Sequence, residues 1–556
     1  MKKISTMLVI MVFALTSILS ACSDSSKPIV PANNEPVTNE PSANGNKDEN
    51  KPVEPAAEEE PPAAGVKAFS GEIVISLNGS PEDTGAAKAF ESLAAAYKKV
   101  QPNVKLIWEP KGSTAGDYPT VLGTLLAAGT PRPDLVAGNY VPTYAKYLNF
   151  DKYRYQVNPY TGNKWDDDLD FNFFVAKNAK GERIMLPTQS VHIMWFYNKD
   201  IFDKLNLQPP TNWEELVSVS ETIKAAGMIP IASNFVWKVP QWVIEIYLDQ
   251  FTRGWHDIVR AKEGDYNYDD EMDGTFTADP NDPYIDLKYN FNQARFFKAI
   301  KEGQIRFDTP EMTEMVTNMA KVFPKYAQKD FFISSDDYPL FLQQKAAMII
   351  DGTWSLPTVK QDMANLNDPK RLEELKITDT SSLKPFNWGT FENPPMTGDL
   401  VQGPVRSVES ASGEYVSIIE KNQNQTDMVL DFVMFWLSQP GYQAWVDGMV
   451  AADKFNPGGP VMVKNVKVPA EIEEMFKGVQ MLGNAEIPIN NPLSTSVPDL
   501  SKAHFNLYKE ALEGKITPEE FGKKLQQSWM KNFDAIIKNA GLTAEDIEHP
   551  ERAPGQ

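Results

Sequence analysis

The chain has 556 residues, 42% hydrophobic and 23% charged, with a formal charge of −21 from 54 basic and 75 acidic side chains. This composition excludes collagen-like, wholly disordered and multi-span membrane chains, and the acidic balance lacks the basic footprint that nucleic-acid binding requires. A single cysteine, Cys22, excludes an internal disulfide and a Cys-based zinc site.

Met1-Lys2-Lys3 is a short basic start, and Ile4 to Ala21 carry no charge. The pattern predicts a secretory signal peptide over 1–21. It ends in Leu19-Ser20-Ala21-Cys22. That phrase resembles the lipobox of bacterial lipoproteins, which implies cleavage before Cys22 and acylation of its sulfur. Two acyl chains suffice for stable anchoring, and no other uncharged run reaches the ~18 apolar residues of a membrane span. Residues 22–70 follow as a Pro-, Glu- and Ala-rich stretch with almost no aromatic content. Such a segment cannot bury enough apolar surface to offset its ordering entropy and is expected to be a disordered linker.

The folded part begins with Gly71-Glu-Ile-Val-Ile-Ser, a β-branched strand pattern. Ser80-Pro81-Glu82-Asp83 reads as a helix start, continued by an amphipathic run to Val100. Val104–Trp108 is a strand, Tyr118–Ala128 a helix and Asp134–Ala137 a strand. The alternation resumes with a strand at His192–Tyr197, a helix opened by the capping pattern Thr211-Asn-Trp-Glu214, and a strand at Ile229–Ile231. Ala346–Ile350 reads as a buried strand, Met428–Ser438 as a helix, and Thr517–Ile537 as a late helix. This rhythm predicts an α/β fold with mainly parallel sheets covered by helices. Residues 252–290 are acidic and rich in Gly, Pro and aromatics, and look like a long insertion.

Four ordered phrases carry a family resemblance. The first is Leu186-Pro187, then Phe196-Tyr197-Asn198-Lys199-Asp200-Ile201-Phe202 and Pro209-Pro210-Thr211-Asn212-Trp213-Glu214-Glu215-Leu216. The others are Ala346-Ala347-Met348-Ile349-Ile350-Asp351-Gly352-Thr353-Trp354, the opening strand with Asn78-Gly79, and Pro133-Asp134-Leu135-Val136. Together the set resembles the extracellular solute-binding proteins of ATP-driven importers, in the sugar-binding branch that includes the maltose-binding proteins. The resemblance implies a type II periplasmic-binding-protein-like fold: two α/β lobes, a hinge and a central ligand cleft. It implies crossovers near Pro187, Ile350 and Val405. Residues 71–187 with about 351–405 would then form the first lobe, and 188–350 with about 406–556 the second. The lobes would close over a carbohydrate, most simply an oligosaccharide, and the closed form would dock on an ABC permease. The expected protein is a monomer on the outer face of the cytoplasmic membrane, with no enzymatic activity and no nucleic-acid partner.

A sugar offers hydroxyls and apolar C–H faces, so its site needs planar hydrogen-bonding groups and flat aromatic platforms. By family position, Trp354, Trp237 and Trp242 are the candidate platforms. Asn78, Ser80, Asn139 and Tyr140 sit at strand C-terminal ends, where open α/β sheets place ligands. Gln189 and His192 follow the first crossover, and Asp351 precedes Trp354. A weaker metal candidate is the oxygen cluster Asp265, Asn267, Asp269, Glu271 and Asp273, which alternates as calcium loops do but fails the EF-hand spacing. No nucleotide-binding, zinc-protease or serine-hydrolase motif occurs. Two alternatives remain: a surface-tethered glycoside hydrolase, which needs only two cleft carboxylates, and a sensor that presents its sugar to a receptor kinase.

Overall fold

Gly71–Ser76 (β1) buries Ile73, Val74 and Ile75 and pairs in parallel with Val104–Trp108 (β2) and Leu135–Ala137 (β3). In the computed structural model the described residues are 66–555, apart from 78–83, 111–117, 128–132, 138–144, 170–181, 408–410, 456 and 480–487. The signal peptide, Cys22 and nearly all of the expected linker therefore lie outside the described residues. So do Asn78, Ser80, Asn139 and Tyr140.

Two further strands complete the first sheet. Leu186–Ser190 (β4) and Ala411–Ile418 (β9) join it in the order β2-β1-β3-β9-β4, with β9 antiparallel to both neighbours. Its core holds Ile75, Leu135, Val136, Val416, Ile418, Phe432 and Trp436. The helix Thr84–Lys98 covers one face and lies so close to the helix Gln439–Ala451 that a side chain at Gly448 would meet the Lys88 carbonyl and Ala89.

The second sheet is Ile229–Ala232 (β6), Ala346–Gly352 (β7), Ile193–Asn198 (β5) and Trp388–Phe391 (β8), in the order β6-β7-β5-β8. β7 is buried along its whole length, as the apolar run Ala346–Ile350 requires, and the burial extends to Asp351. Trp213 anchors the core beneath: it is fully buried, donates from Nε1 to the Asn318 carbonyl at 2.8 Å, and meets Tyr247 edge-on at 4.5 Å. Each such fully buried large side chain contributes ~1.5–3 kcal/mol.

The sheets are mixed rather than mainly parallel, since β9 runs antiparallel to β3 and β4, and β5 to β7 and β8. Two further expectations shift. The helix Trp213–Ala225 is capped by Asn212, not Thr211: the Asn212 Oδ1 accepts from the Glu215 N–H at 2.9 Å, and Glu215 accepts from the Thr211 N–H and hydroxyl at 2.8 Å each. The cap is displaced one residue because Asn212 takes the extended conformation.

The allotment of segments also changes. Residues 351–405, expected in the first lobe, pack with the second sheet, because β8 pairs with β5 and Met396 enters the second core. Residues 411–466, expected in the second, complete the first sheet through β9 and its following helix Gln423–Trp436. The chain then returns, and the helices Pro498–Leu512 and Pro518–Lys531 pack on the second core. The exchange occurs because β9, not the segment after β7, supplies the missing neighbour of β3 and β4.

Candidate ligand-binding site

Crossing from β4 to β5 takes only Val191 and His192. Beside this crossover lies the loop Pro457-Gly458-Gly459-Pro460. Gly458 donates its N–H to the Gln189 Oε1 at 2.7 Å, and its carbonyl accepts from the Thr353 hydroxyl at 2.7 Å. Gly459 sits so tightly that a Cβ there would overlap the Ser190 carbonyl. The Thr353 hydroxyl also faces the His192 N–H at 3.3 Å, and the Thr353 N–H donates to the His192 carbonyl at 2.9 Å. The ends of β4 and β7 are thereby fixed to one point of contact between the two sheets.

Both parallel strands of the second sheet, β6 and β7, end toward this region, and the segments following them carry the three candidate indoles. Trp237 and Trp242 follow β6; Trp354 follows β7. The centroids of Trp237 and Trp242 are 4.4 Å apart with planes at 83°, and those of Trp242 and Trp354 are 5.2 Å apart at 57°. All three are half-buried. The sequence expectation brought these positions together from opposite ends of a stretch of over a hundred residues, and the fold gathers them into one aromatic wall.

The polar candidates are placed differently. Asp351 is buried, with Oδ2 3.1 Å from the Lys238 ammonium and Oδ1 accepting from the Gly352 N–H at 2.9 Å. Lys238 is 2% exposed and also reaches Asp337 at 2.8 Å and the Ile350 carbonyl at 3.0 Å. Burial alone would lower the Lys238 pKa; the Asp351 and Asp337 carboxylates outweigh it and raise it, so the ammonium stays charged. His192 is buried, with Nε2 2.7 Å from the Glu392 carboxylate. Gln189 spends its carbonyl on Gly458. Asp351, His192 and Gln189 thus hold the framework around the wall. Lys238 and Asp337 were not singled out from sequence; the only signal was a lone cation, Trp-Lys-Val, inside an apolar run.

The calcium expectation does not survive. Asp265 gives its carboxylate to Arg295 in a two-pronged pair and accepts from the Lys262 N–H at 2.9 Å. Asp269 accepts from the Glu271 and Met272 N–H groups, and Asp273 from Asp269, from the Asn290 N–H and from the Asn290 side chain. Asn267 bonds the Phe291 carbonyl, and Glu271 is exposed. The carboxylates of Asp265, Asp269 and Asp273 are thus already engaged by N–H donors of the loop and its neighbours. Among the described residues no group of three or more His, Cys, Asp or Glu is arranged to hold a metal. The insertion instead braces the fold. Asp286 and Asp249 clamp the Arg406 guanidinium in a fully buried cluster, and Met272 contacts Arg154 of the first sheet's surroundings at 4.0 Å.

Against known proteins, the model of the family described as bacterial extracellular solute-binding protein matches residues 80–443, well over half of the chain. The chain belongs to that family. Among solved structures, the cyclic alpha-maltosyl-1,6-maltose binding protein of Arthrobacter globiformis superposes with a TM-score of 0.53 at 15% identity, covering 83% of this chain and 98% of that one. That likeness shows the two-lobed α/β fold. Among curated relatives, the multiple sugar-binding protein of Streptococcus mutans is 22% identical over 64% of this chain and 69% of its own length. An uncharacterized ABC transporter extracellular-binding protein of Pyrococcus horikoshii is 27% identical over 27% of this chain, and the match spans only 34% of that relative's length. The family is one of binding proteins, and the relatives named here are described as binding proteins. No helix among the described residues is long and apolar enough to cross a membrane.

Proposed function

We propose that this protein captures a carbohydrate, an oligosaccharide, outside the cell and delivers it intact to an ABC permease, held to the outer face of the cytoplasmic membrane as a monomer by lipid on Cys22. The observation that carries the reading is the wall of Trp237, Trp242 and Trp354 beside the crossover. Half-buried indoles offer flat apolar faces to sugar C–H groups, and covering them removes apolar surface from water at ~25 cal/mol per Å². Placement at strand C-terminal ends agrees with where open α/β sheets bind ligands. Relatives point the same way: besides the Streptococcus mutans protein, a melibiose/raffinose/stachyose-binding protein of Bacillus subtilis is 25% identical over 29% of this chain.

Capture needs no chemistry. A ligand that touches both lobes only when they are closed shifts the population toward the closed form, and a hinge at a two-residue crossover permits the motion. The Gly458–Thr353 and Gly458–Gln189 bonds lie at this pivot and hold it while the lobes move about it.

The test is a thermal-shift and tryptophan-fluorescence titration of the full-length chain in mild detergent against a panel of oligosaccharides. A cognate sugar stabilises by ~2.7 kcal/mol at a hundredfold excess over its dissociation constant and is recovered uncut. Silence across the panel refutes the carbohydrate ligand, and shorter products refute the non-enzymatic reading in favour of a glycoside hydrolase.

A further inference from the structure

The three indoles stand on two separate segments, yet one buried cation joins the backbone beneath both. Lys238 lies between Trp237 and Trp242 in sequence, and its ammonium is 5.5 Å from the Trp237 ring centroid. It bonds the Ile350 carbonyl and the Asp351 carboxylate of β7, the strand that leads into Trp354. Its third partner, Asp337, lies 3.4 Å from the Asn234 side-chain amide. Asn234 Oδ1 in turn accepts from the Trp237 N–H at 2.9 Å and from the Lys238 N–H at 3.3 Å. Asp351 closes the circuit by accepting the N–H of Gly352, against which the Trp354 ring is folded.

We propose that Lys238 is a positioning residue for ligand capture: by tying Asp337 and Asp351 together it sets the spacing and tilt of Trp237, Trp242 and Trp354. This rests on the carbohydrate reading above for its ligand, though not for its geometry. Three features favour positioning over bulk stabilisation. The ammonium is fully enclosed, where replacing a charged group by a hydrophobe of similar volume often costs no stability provided its partners are neutralised as well. Its three oxygen partners come from two different segments. Lys238 itself sits between Trp237 and Trp242, and its β7 partners Ile350 and Asp351 stand four and three residues before Trp354.

The experiment compares the full-length wild type with Lys238→Met and with the charge-neutral combination Lys238→Met, Asp337→Asn, Asp351→Asn, which leaves no buried charge unpaired. Two readouts are taken: the exciton couplet in circular dichroism, which reports the mutual angle of neighbouring indoles, and the dissociation constant for the best sugar of the panel. A positioning role predicts that the combined variant melts cooperatively but loses the couplet and binds roughly tenfold more weakly, the scale of ~1.4 kcal/mol. Lys238→Arg, which keeps the charge, restores most of both. A combined variant with wild-type couplet and affinity overturns the proposal. So does failure of both Met variants to fold, which would make the triad a determinant of the fold itself. If no sugar binds the wild type, the carbohydrate reading fails while the couplet still decides the role of Lys238.

Discussion

The Trp354 indole lies directly on the Cα of Gly352, so closely that a single methyl group at Gly352 would overlap three of its ring carbons. Gly352→Ala is therefore expected to push Trp354 out of the wall. The strand itself can persist, since overpacking of this kind costs ~1–3 kcal/mol. Thermal melting should show a modest loss, whereas the fluorescence titration should show a disproportionate loss of sugar affinity. Equal losses in both would mean that the ring's placement is irrelevant to binding.

Arg406 is expected to be among the costliest single positions in the second core. Its guanidinium is fully buried, 2.6 Å from Asp249 and paired to Asp286. Arg406→Leu removes the cation that Asp286 and Asp249 share and leaves Asp249 with Arg253 as its cation, with an expected loss of ~3–5 kcal/mol by chemical denaturation. Burial alone would raise the Asp249 carboxyl, but Arg406 and Arg253 hold it well below the usual range. Its contribution is thus present above the unfolded value near ~3.9 and is lost only as pH falls below that.

His504 sets a different window. It is 1% exposed, with Nε2 2.9 Å from the Ser528 hydroxyl and Nδ1 3.3 Å from the Leu493 carbonyl. A carbonyl can only accept, so Nδ1 carries the proton and Nε2 accepts from Ser528: the ring is neutral. Burial pushes its pKa down to about 4. Unfolded chains take up the proton near ~6.5, so stability is full above that pH and falls by about 2–3 kcal/mol as pH drops toward 4. His256, lowered by burial as well, acts in the same direction. His504→Gln should flatten part of this decline in denaturant midpoints measured from pH 7 to pH 4; an unchanged slope would assign the titration elsewhere.

The lipid anchor has a direct test. Cys22→Ser should abolish incorporation of labelled palmitate and leave the segment before it uncleaved. Undiminished labelling of the variant would refute lipid attachment at that residue.

Much of this was legible in the sequence. The β-branched runs at Ile73–Ile75 and Ala346–Ile350 gave strands where they were expected, because a fully buried strand leaves an unbroken apolar trace. The three tryptophans could be paired only through family phrases, since their meeting depends on β6 and β7 being neighbours. β8 was missed because Trp388–Phe391 is short and only half-buried, and β9 because Ala411–Ile418 opens with Ala-Ser-Gly-Glu, which carries little strand signal. Missing those two strands is what misassigned the segments on either side of them. Lys238 escaped notice because composition treats a lysine as a surface residue, and only its two buried carboxylate partners make its position intelligible.

The strand order of the first sheet has a bearing on how the protein is made. Among the described residues, β4 pairs in that sheet with β9 alone, and β3 reaches β4 through β9, more than 200 residues later in the chain. The second core is closed by helices from Pro498 onward, among the last parts of the chain to be made. Neither the first sheet nor the second core can be completed until these late segments have been made. A chain whose packing waits on its late segments is easier to thread through a narrow pore.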